Sequence, residues 1–220
     1  MIRGVIFDFD GLVIDTEMPD YQAWCEVYDR YGAELPMTEW MKCVGNSAET
    51  FDTCSYLETV LGHALDDREG VQAAVHQRRL EIIATQQALP GVEDYLREAR
   101  RLGLKLAVAS SSTHTWVDAH LKRLGLYDTF DCVRCREDVD IIKPDPALYL
   151  SALDGLDLRA EEAIAFEDSA SGILAAKRAG LYCVAVPNTV TRLMDLSHAD
   201  REIVSMADVP FEDLLQALPL

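Results

Sequence analysis

The sequence predicts an α/β fold: a doubly wound, parallel core sheet with an all-helical insertion after its first strand. Three observations predict it. The run Val5-Ile6-Phe7 is continuously apolar, as in a strand covered on both faces. From Leu89 onward helical and strand patterns alternate, the signature of repeated βα units. Between the two, from about Met18 to Gln87, apolar residues keep helical spacing and no convincing strand occurs.

The first strand stops in acid, because Asp8 and Asp10 follow the apolar run in "GVIFDFDGLVIDTE". Side chains repeat with period two along a strand, so both carboxylates are expected to lean the same way at its carboxyl end, where open α/β sheets bind ligands. The insertion carries Ala23, Trp24, Val27, Tyr28 and Tyr31 at helical spacing. Beyond it, Val92 to Leu102 reads as a helix ended by Gly103, and Leu104 to Ala109 as an apolar strand. "TWVDAHLKRLGL" is the next helix and Cys132-Val133 a short strand. "DPALYLSALDGL" is a helix with a proline in its first turn. Ala163 to Phe166 is a strand, "ASGILAAKRAG" a helix ending at Gly180, and Tyr182 to Val186 a strand. The expected division is a Rossmann-like core, 1–15 and 88–220, and a helical cap, 16–87. A helical insertion beside a site at strand ends reads as a lid.

Composition narrows the class of function. A chain of 220 residues with 49% hydrophobic and 26% charged residues can bury a real core. Its net charge of −18 argues against a nucleic-acid or anionic-membrane partner. A phosphate-bearing ligand would therefore need local cations or a metal. No segment reaches the roughly 18 consecutive apolar residues of a membrane span. "MIRGVIFDFDG" is too short and acidic for a signal peptide, so a cytoplasmic location is expected. Monomer is the default, since no exposed apolar stripe is evident. The cysteines Cys25, Cys43, Cys54, Cys132, Cys135 and Cys183 form no framework and read as reduced thiols. "CVRC" at Cys132 to Cys135 has zinc spacing, yet His63, His76, His114, His120 and His198 supply no matching pair.

Four short segments fall at the ends of successive strands: "DFD" at Asp8 to Asp10, "SSS" at Ser110 to Ser112, "KPDP" at Lys143 to Pro146, and "EDS" at Glu167 to Ser169. Each alone is commonplace: an acid at a strand end often caps a helix, and a serine run is usually a turn. Together, in order and on strands that should be neighbours, they supply a carboxylate nucleophile, a hydroxyl cradle, a fixed cation and a second acidic pair. That set is what metal-assisted phosphoryl transfer requires.

With "DFDG", "VASSS", "KPDP" and "FEDSASG" in this order, nearly the whole chain resembles the haloacid dehalogenase-like superfamily, in the branch whose helical cap follows the first motif. The resemblance implies that Asp8 is the nucleophile, forming an aspartyl-phosphate, and that Asp10 is general acid to the leaving oxygen and then base for water. It implies Mg²⁺ held between Asp8, the Asp10 carbonyl and Asp168, with Glu167 as a further or outer ligand. Ser110 would donate to the transferring phosphoryl oxygens and Lys143 would sit between nucleophile and phosphate. Dehalogenases of the superfamily lack the second aspartate, so Asp10 argues against that reaction. Phosphonate hydrolases use a cap lysine as a Schiff base; Lys42 reads instead as solvated or substrate-facing.

The resulting expectation is a Mg²⁺-dependent phosphatase of a small phosphorylated metabolite, plausibly a sugar phosphate. The alternatives are a phosphosugar mutase like the β-phosphoglucomutases and, remotely, a non-catalytic phosphometabolite-binding protein. Mutases of the branch carry a cap histidine where this chain has Asp20, and an arginine near Asn46. Substrate contacts are expected from Glu17, Asp20, Lys42, Gly45 and Asn46 in the cap and from Ser111, Ser112 and His114 after the serine run. Trp24, at helical spacing, reads as cap core.

Overall fold

The structure, a computed structural model, describes residues 1–40 and 52–218. Lys42, Gly45 and Asn46 lie outside the described residues. In chain order the elements are β1 (Gly4–Phe7), α1 (Glu17–Arg30), α2 (Met37–Trp40), α3 (Thr53–Leu61), α4 (Arg68–Thr85), α5 (Val92–Arg101), β2 (Lys105–Ala109), α6 (His114–Arg123), β3 (Cys132–Arg134), α7 (Ala147–Leu156), β4 (Ala163–Glu167), α8 (Ala170–Arg178), β5 (Tyr182–Ala185), β6 (Arg201–Glu202) and α9 (Phe211–Gln216). They form two compact units, Met1–Ile14 with Gln87–Leu220, and Asp15–Gln86.

In the first unit the strands make one parallel sheet in the order β3-β2-β1-β4-β5-β6. The sheet grows outward from β1 through β2 and β3, then restarts on the other side at β4. That reversal opens a crevice at the carboxyl ends of β1 and β4. Alternation along β1 sends successive side chains to opposite faces. Phe7 stacks on Phe166 with centroids 5.2 Å apart. Tyr95 of α5 and Phe211 of α9 extend this aromatic cluster, since Tyr95 lies 5.4 Å from Phe166 and 5.0 Å from Phe211. Ile6 belongs to the other face, with Ala107, Ala109, Ala165 and Ala185 from the strands and Leu148, Ala152, Ile173 and Ala176 from α7 and α8. Small side chains on that face let the two helices approach the sheet closely.

The sequence reading differs from the structure at several places, and α9 is one element it did not include. Pro146 precedes α7 as its N-cap instead of standing inside the first turn. β6 was not read at all, because two residues paired beside Val184 and Ala185 leave no periodicity. The "CVRC" cysteines are free and buried, and burial pushes the Cys135 thiol up to about 12.

The second unit has its own core, in which Ala23, Val27, Tyr28, Leu35, Trp40, Leu57 and Val75 pack together, with Trp24 partly buried against them. Tyr28 Oη donates to the Thr53 carbonyl at 2.7 Å. No helix among the described residues is long and apolar enough to cross a membrane.

Gly91 opens α5 at φ 87°, and a Cβ there would lie 2.3 Å from the Ala207 backbone nitrogen. Gly91→Ala should therefore lose at least about 1–2 kcal/mol from the left-handed backbone alone, and more from the clash, read as a lower urea midpoint.

Candidate active site

The ladder of β1 continues one residue past the strand, where the Asp8 N–H donates to the Phe166 carbonyl at 3.0 Å. The chain then turns, with Gly11 N–H bonded to Ile14 O at 2.8 Å. Gly11 is required twice over. Its φ is 81°, and a Cβ would stand 2.5 Å from Asp168 Oδ2. The glycine after the acids thus lets the end of β4 come close to the turn after β1.

At that junction Asp8, Glu167 and Asp168 are all buried, and each offers an oxygen within 4.8 Å of the others. Lys143, from the segment before α7, donates to Asp8 Oδ1 and, at 2.6 Å, to Glu167 Oε1. Its side chain is only 5% exposed. Burial works against the ammonium, but Asp8 and Glu167 outweigh it and raise the Lys143 pKa, so its charge is fixed. Burial pushes the Asp8 carboxyl up to about 7, against the pull of Lys143 and with a further push from Glu167. Three carboxylates beside one ammonium leave net negative charge in a dry place. Hard oxygen donors with that surplus fit a divalent cation.

Other side chains fix the acids. Tyr149 Oη, from α7, donates to Glu167 Oε1 at 2.6 Å. Glu167 Oε2 accepts from the Asp168 N–H and the Ser169 hydroxyl, both at 3.2 Å. Ser169 caps α8, its oxygen accepting from Gly172 N–H at 3.1 Å. Asn188, just beyond β5, donates to Asp168 Oδ2 at 2.8 Å and to the Gly11 carbonyl at 3.2 Å. Its own oxygen is pinned by the N–H groups of Val190 and Thr191.

Asp10 turns toward the segment after β2. Ser112 Oγ donates to Asp10 Oδ2 at 2.6 Å, Ser110 Oγ to the same oxygen at 3.4 Å, and Trp116 Nε1 to Oδ1 at 2.8 Å. Ser110 is buried and also accepts from the Ser112 N–H at 3.0 Å. The serines form a turn before α6, whose N-cap is Thr113. Ser111, half-buried, lies within that turn. The structure thus brings together Asp8, Lys143, Glu167 and Asp168, and joins Asp10 to Ser110 and Ser112.

His114 opens α6 with its Nε2 2.8 Å from Asp138 and its Nδ1 3.6 Å from Asp118. A ligand contact by this ring would compete with those carboxylates. In the helical unit, Thr16 is the N-cap of α1, and Asp15 before it accepts from the N–H groups of Glu17 and Met18 in the first turn. Asp20 has its pKa raised by burial, opposed by the charges of Arg79 and His76 from α4. Its negative charge therefore has cationic company that the sequence reading did not assign.

Tyr149, Asn188 and Trp116 were missed. Asn188 carried a signal, being a polar residue just past the carboxyl end of a strand. Tyr149 and Trp116 sit at helical spacing and looked like core.

The family described as haloacid dehalogenase-like hydrolase matches residues 5–186. The chain is 42% identical to "Putative phosphatase YhcW" of Bacillus subtilis, over 99% of this chain and 98% of that protein. It is 32% identical to "Phosphorylated carbohydrates phosphatase" of Thermotoga maritima, over 82% of each. Among solved structures, one described as "putative beta-phosphoglucomutase from Thermotoga maritima" superposes with a TM-score of 0.79 at 27% identity, covering 99% of this chain and 100% of that one.

The ring of His114 gives a pH-dependent term. Burial works against its charge, but the hydrogen bond and charge of Asp138, then Asp118, outweigh it and raise its pKa above 6.5. A raised folded-state pKa stabilises below the unfolded value and stops doing so as pH rises through the folded value. His114→Gln should therefore lower the urea midpoint relative to wild type near pH 6 and make little difference near pH 9.

Proposed function

The chain belongs to the haloacid dehalogenase-like hydrolases, and from that premise we propose that it is a Mg²⁺-dependent phosphatase of small phosphorylated metabolites, sugar phosphates in particular, working through an aspartyl-phosphate on Asp8. One observation carries the reading: a buried carboxylate at the β1/β4 reversal, held between a fixed ammonium and two further acids. The names of the relatives, a phosphatase and a phosphorylated-carbohydrate phosphatase, support the substrate class.

In this reading Asp8, Glu167 and Asp168 would hold the cation, and the Asp10 carbonyl would join them. When bound, Mg²⁺ supplies charge masking for the carboxylates and the phosphoryl oxygens. The chain's own groups do the rest. Asp8 attacks phosphorus, and Lys143 favours its ionised form against the effect of burial and neutralises charge beside it. Ser110 donates to the transferring phosphoryl oxygens. Asp10 gives a proton to the departing alkoxide, then takes one from the water that hydrolyses the acyl phosphate. Selection of substrate by the helical unit, through Glu17, Asp20, Lys42, Gly45 and Asn46, and by Ser111, Ser112 and His114, belongs to the same proposal.

A phosphosugar mutase is the second reading. The likeness to a structure named for β-phosphoglucomutase favours it, as do the cations beside Asp20.

The test is phosphate release from a panel of sugar phosphates that includes β-glucose 1-phosphate. Wild type should release phosphate with Mg²⁺ and stop in excess chelator, and Asp8→Asn should lose activity by about 10⁴-fold or more with its thermal transition intact. Consumption of β-glucose 1-phosphate without phosphate release would establish the mutase, and binding without any turnover the non-catalytic alternative. Asn188→Ala, which removes one donor to Asp168, should weaken Mg²⁺ binding by about 10–100-fold in calorimetric titration of the protein without substrate.

A further inference from the structure

We propose that Trp116 is a positioning residue for Asp10, its indole N–H fixing the direction in which the carboxyl group faces; the inference rests on the proposed role of Asp10 as acid and base.

Asp10 lies beyond the end of β1, in a turn, so the regular sheet ladder does not fix its side chain. Its two carboxyl oxygens are held from another part of the chain: Trp116 Nε1 donates to Oδ1 at 2.8 Å and Ser112 Oγ donates to Oδ2 at 2.6 Å. These donors differ in kind. A hydroxyl rotates and either donates or accepts, so Ser112 keeps its contact whether Oδ2 is bare or protonated. An indole N–H only donates. The Trp116 contact therefore holds Oδ1 against one fixed donor, and with Ser112 on Oδ2 it sets the plane of the carboxyl group. When the P–O bond of the substrate breaks, the electron pair goes to the leaving oxygen and the proton that Asp10 supplies moves onto it, restoring the Asp10 carboxylate that both donors stabilise.

The indole is itself fixed. Thr113 caps α6 by accepting from the Trp116 backbone N–H at 3.3 Å, which sets the residue's place in the first turn. One turn on, His120 packs edge-to-face on the indole with ring centroids 4.3 Å apart. A donor held at backbone and ring spares the acid the cost of finding its orientation during the reaction.

The experiment separates positioning from mere packing by varying the leaving group. An alkyl phosphate needs its departing oxygen protonated, whereas p-nitrophenyl phosphate releases a phenolate stable without it. Trp116→Phe keeps an aromatic ring and removes the donor. We expect kcat/KM for the best sugar phosphate of the panel to fall about 10–100-fold, with KM little changed, and kcat/KM for p-nitrophenyl phosphate to fall less than about threefold. Trp116→His, which keeps a ring N–H, should recover most of the loss and serves as the test if the phenylalanine protein does not fold. Equal losses on both substrates, or none on the sugar phosphate, would overturn the inference. Asp10→Asn, assayed in parallel, tells the two levels apart. If it shows no dependence on leaving group, the acid–base reading of Asp10 fails and the inference with it. If it shows that dependence and Trp116→Phe does not, the acid–base reading stands and only the inference falls.

Discussion

Like charges confined to a dry crevice set the terms for everything around them. Asp8, Glu167 and Asp168 are buried within reach of one another, and Lys143 is the ammonium set among them. Such a group is tolerated only when each oxygen has a donor and the surplus charge has a counterion. The sheet order answers the first need, because β1 and β4 are neighbours whose carboxyl ends open side by side. α7 brings Tyr149 and the segment before it brings Lys143, while the N–H groups of Asp168 and Ser169, just before α8, donate to Glu167. The alanine-rich face of the sheet is what lets α7 and α8 come near enough to do so.

Each acid has a donor fixing it, and Lys143 serves two of them. Lys143 holds Asp8, Tyr149 holds Glu167, Asn188 holds Asp168, and Trp116 with Ser112 holds Asp10. These donors come from different elements, so no single loop movement releases all four carboxylates. Asn188 also grips the Gly11 carbonyl, which ties the loop after β5 to the turn after β1. The arrangement trades local flexibility for fixed carboxylate orientation, which favours a reaction whose barrier is lowered mainly by placement and charge.

Much of this was legible in the sequence, for physical reasons. A parallel strand is apolar on both faces, so β1, β2, β4 and β5 stood out as unbroken apolar runs, and ligand groups belong at carboxyl ends, so "DFD", "SSS", "KPDP" and "EDS" could be gathered before any coordinates. What escaped was whatever hides inside a stronger pattern. Tyr149 and Trp116 occupy apolar positions of helices, where an aromatic ring satisfies the periodicity and its polar atom goes unnoticed. Arg79 lies on α4 far along the chain from Asp20, and helical spacing within one element says nothing of the charges another element brings to it. β6 is too short to leave a pattern.

The pairing of β1 with strands drawn from far along the chain has a consequence for the newborn protein. Gly4 pairs with Lys105 on one side and Ala163 on the other, and the whole of Asp15–Gln86 is made in between. At synthesis rates of about 5–20 residues per second, Asp8 and Asp10 wait on the order of ten seconds for Lys143, Glu167 and Asp168 to be made. During that interval β1 gains β2 on one side, but its two acids have no buried cation and no β4 on the other. A ribosome-bound chain thereby lacks the assembled group of acids and ammonium until its last central strand has joined the sheet.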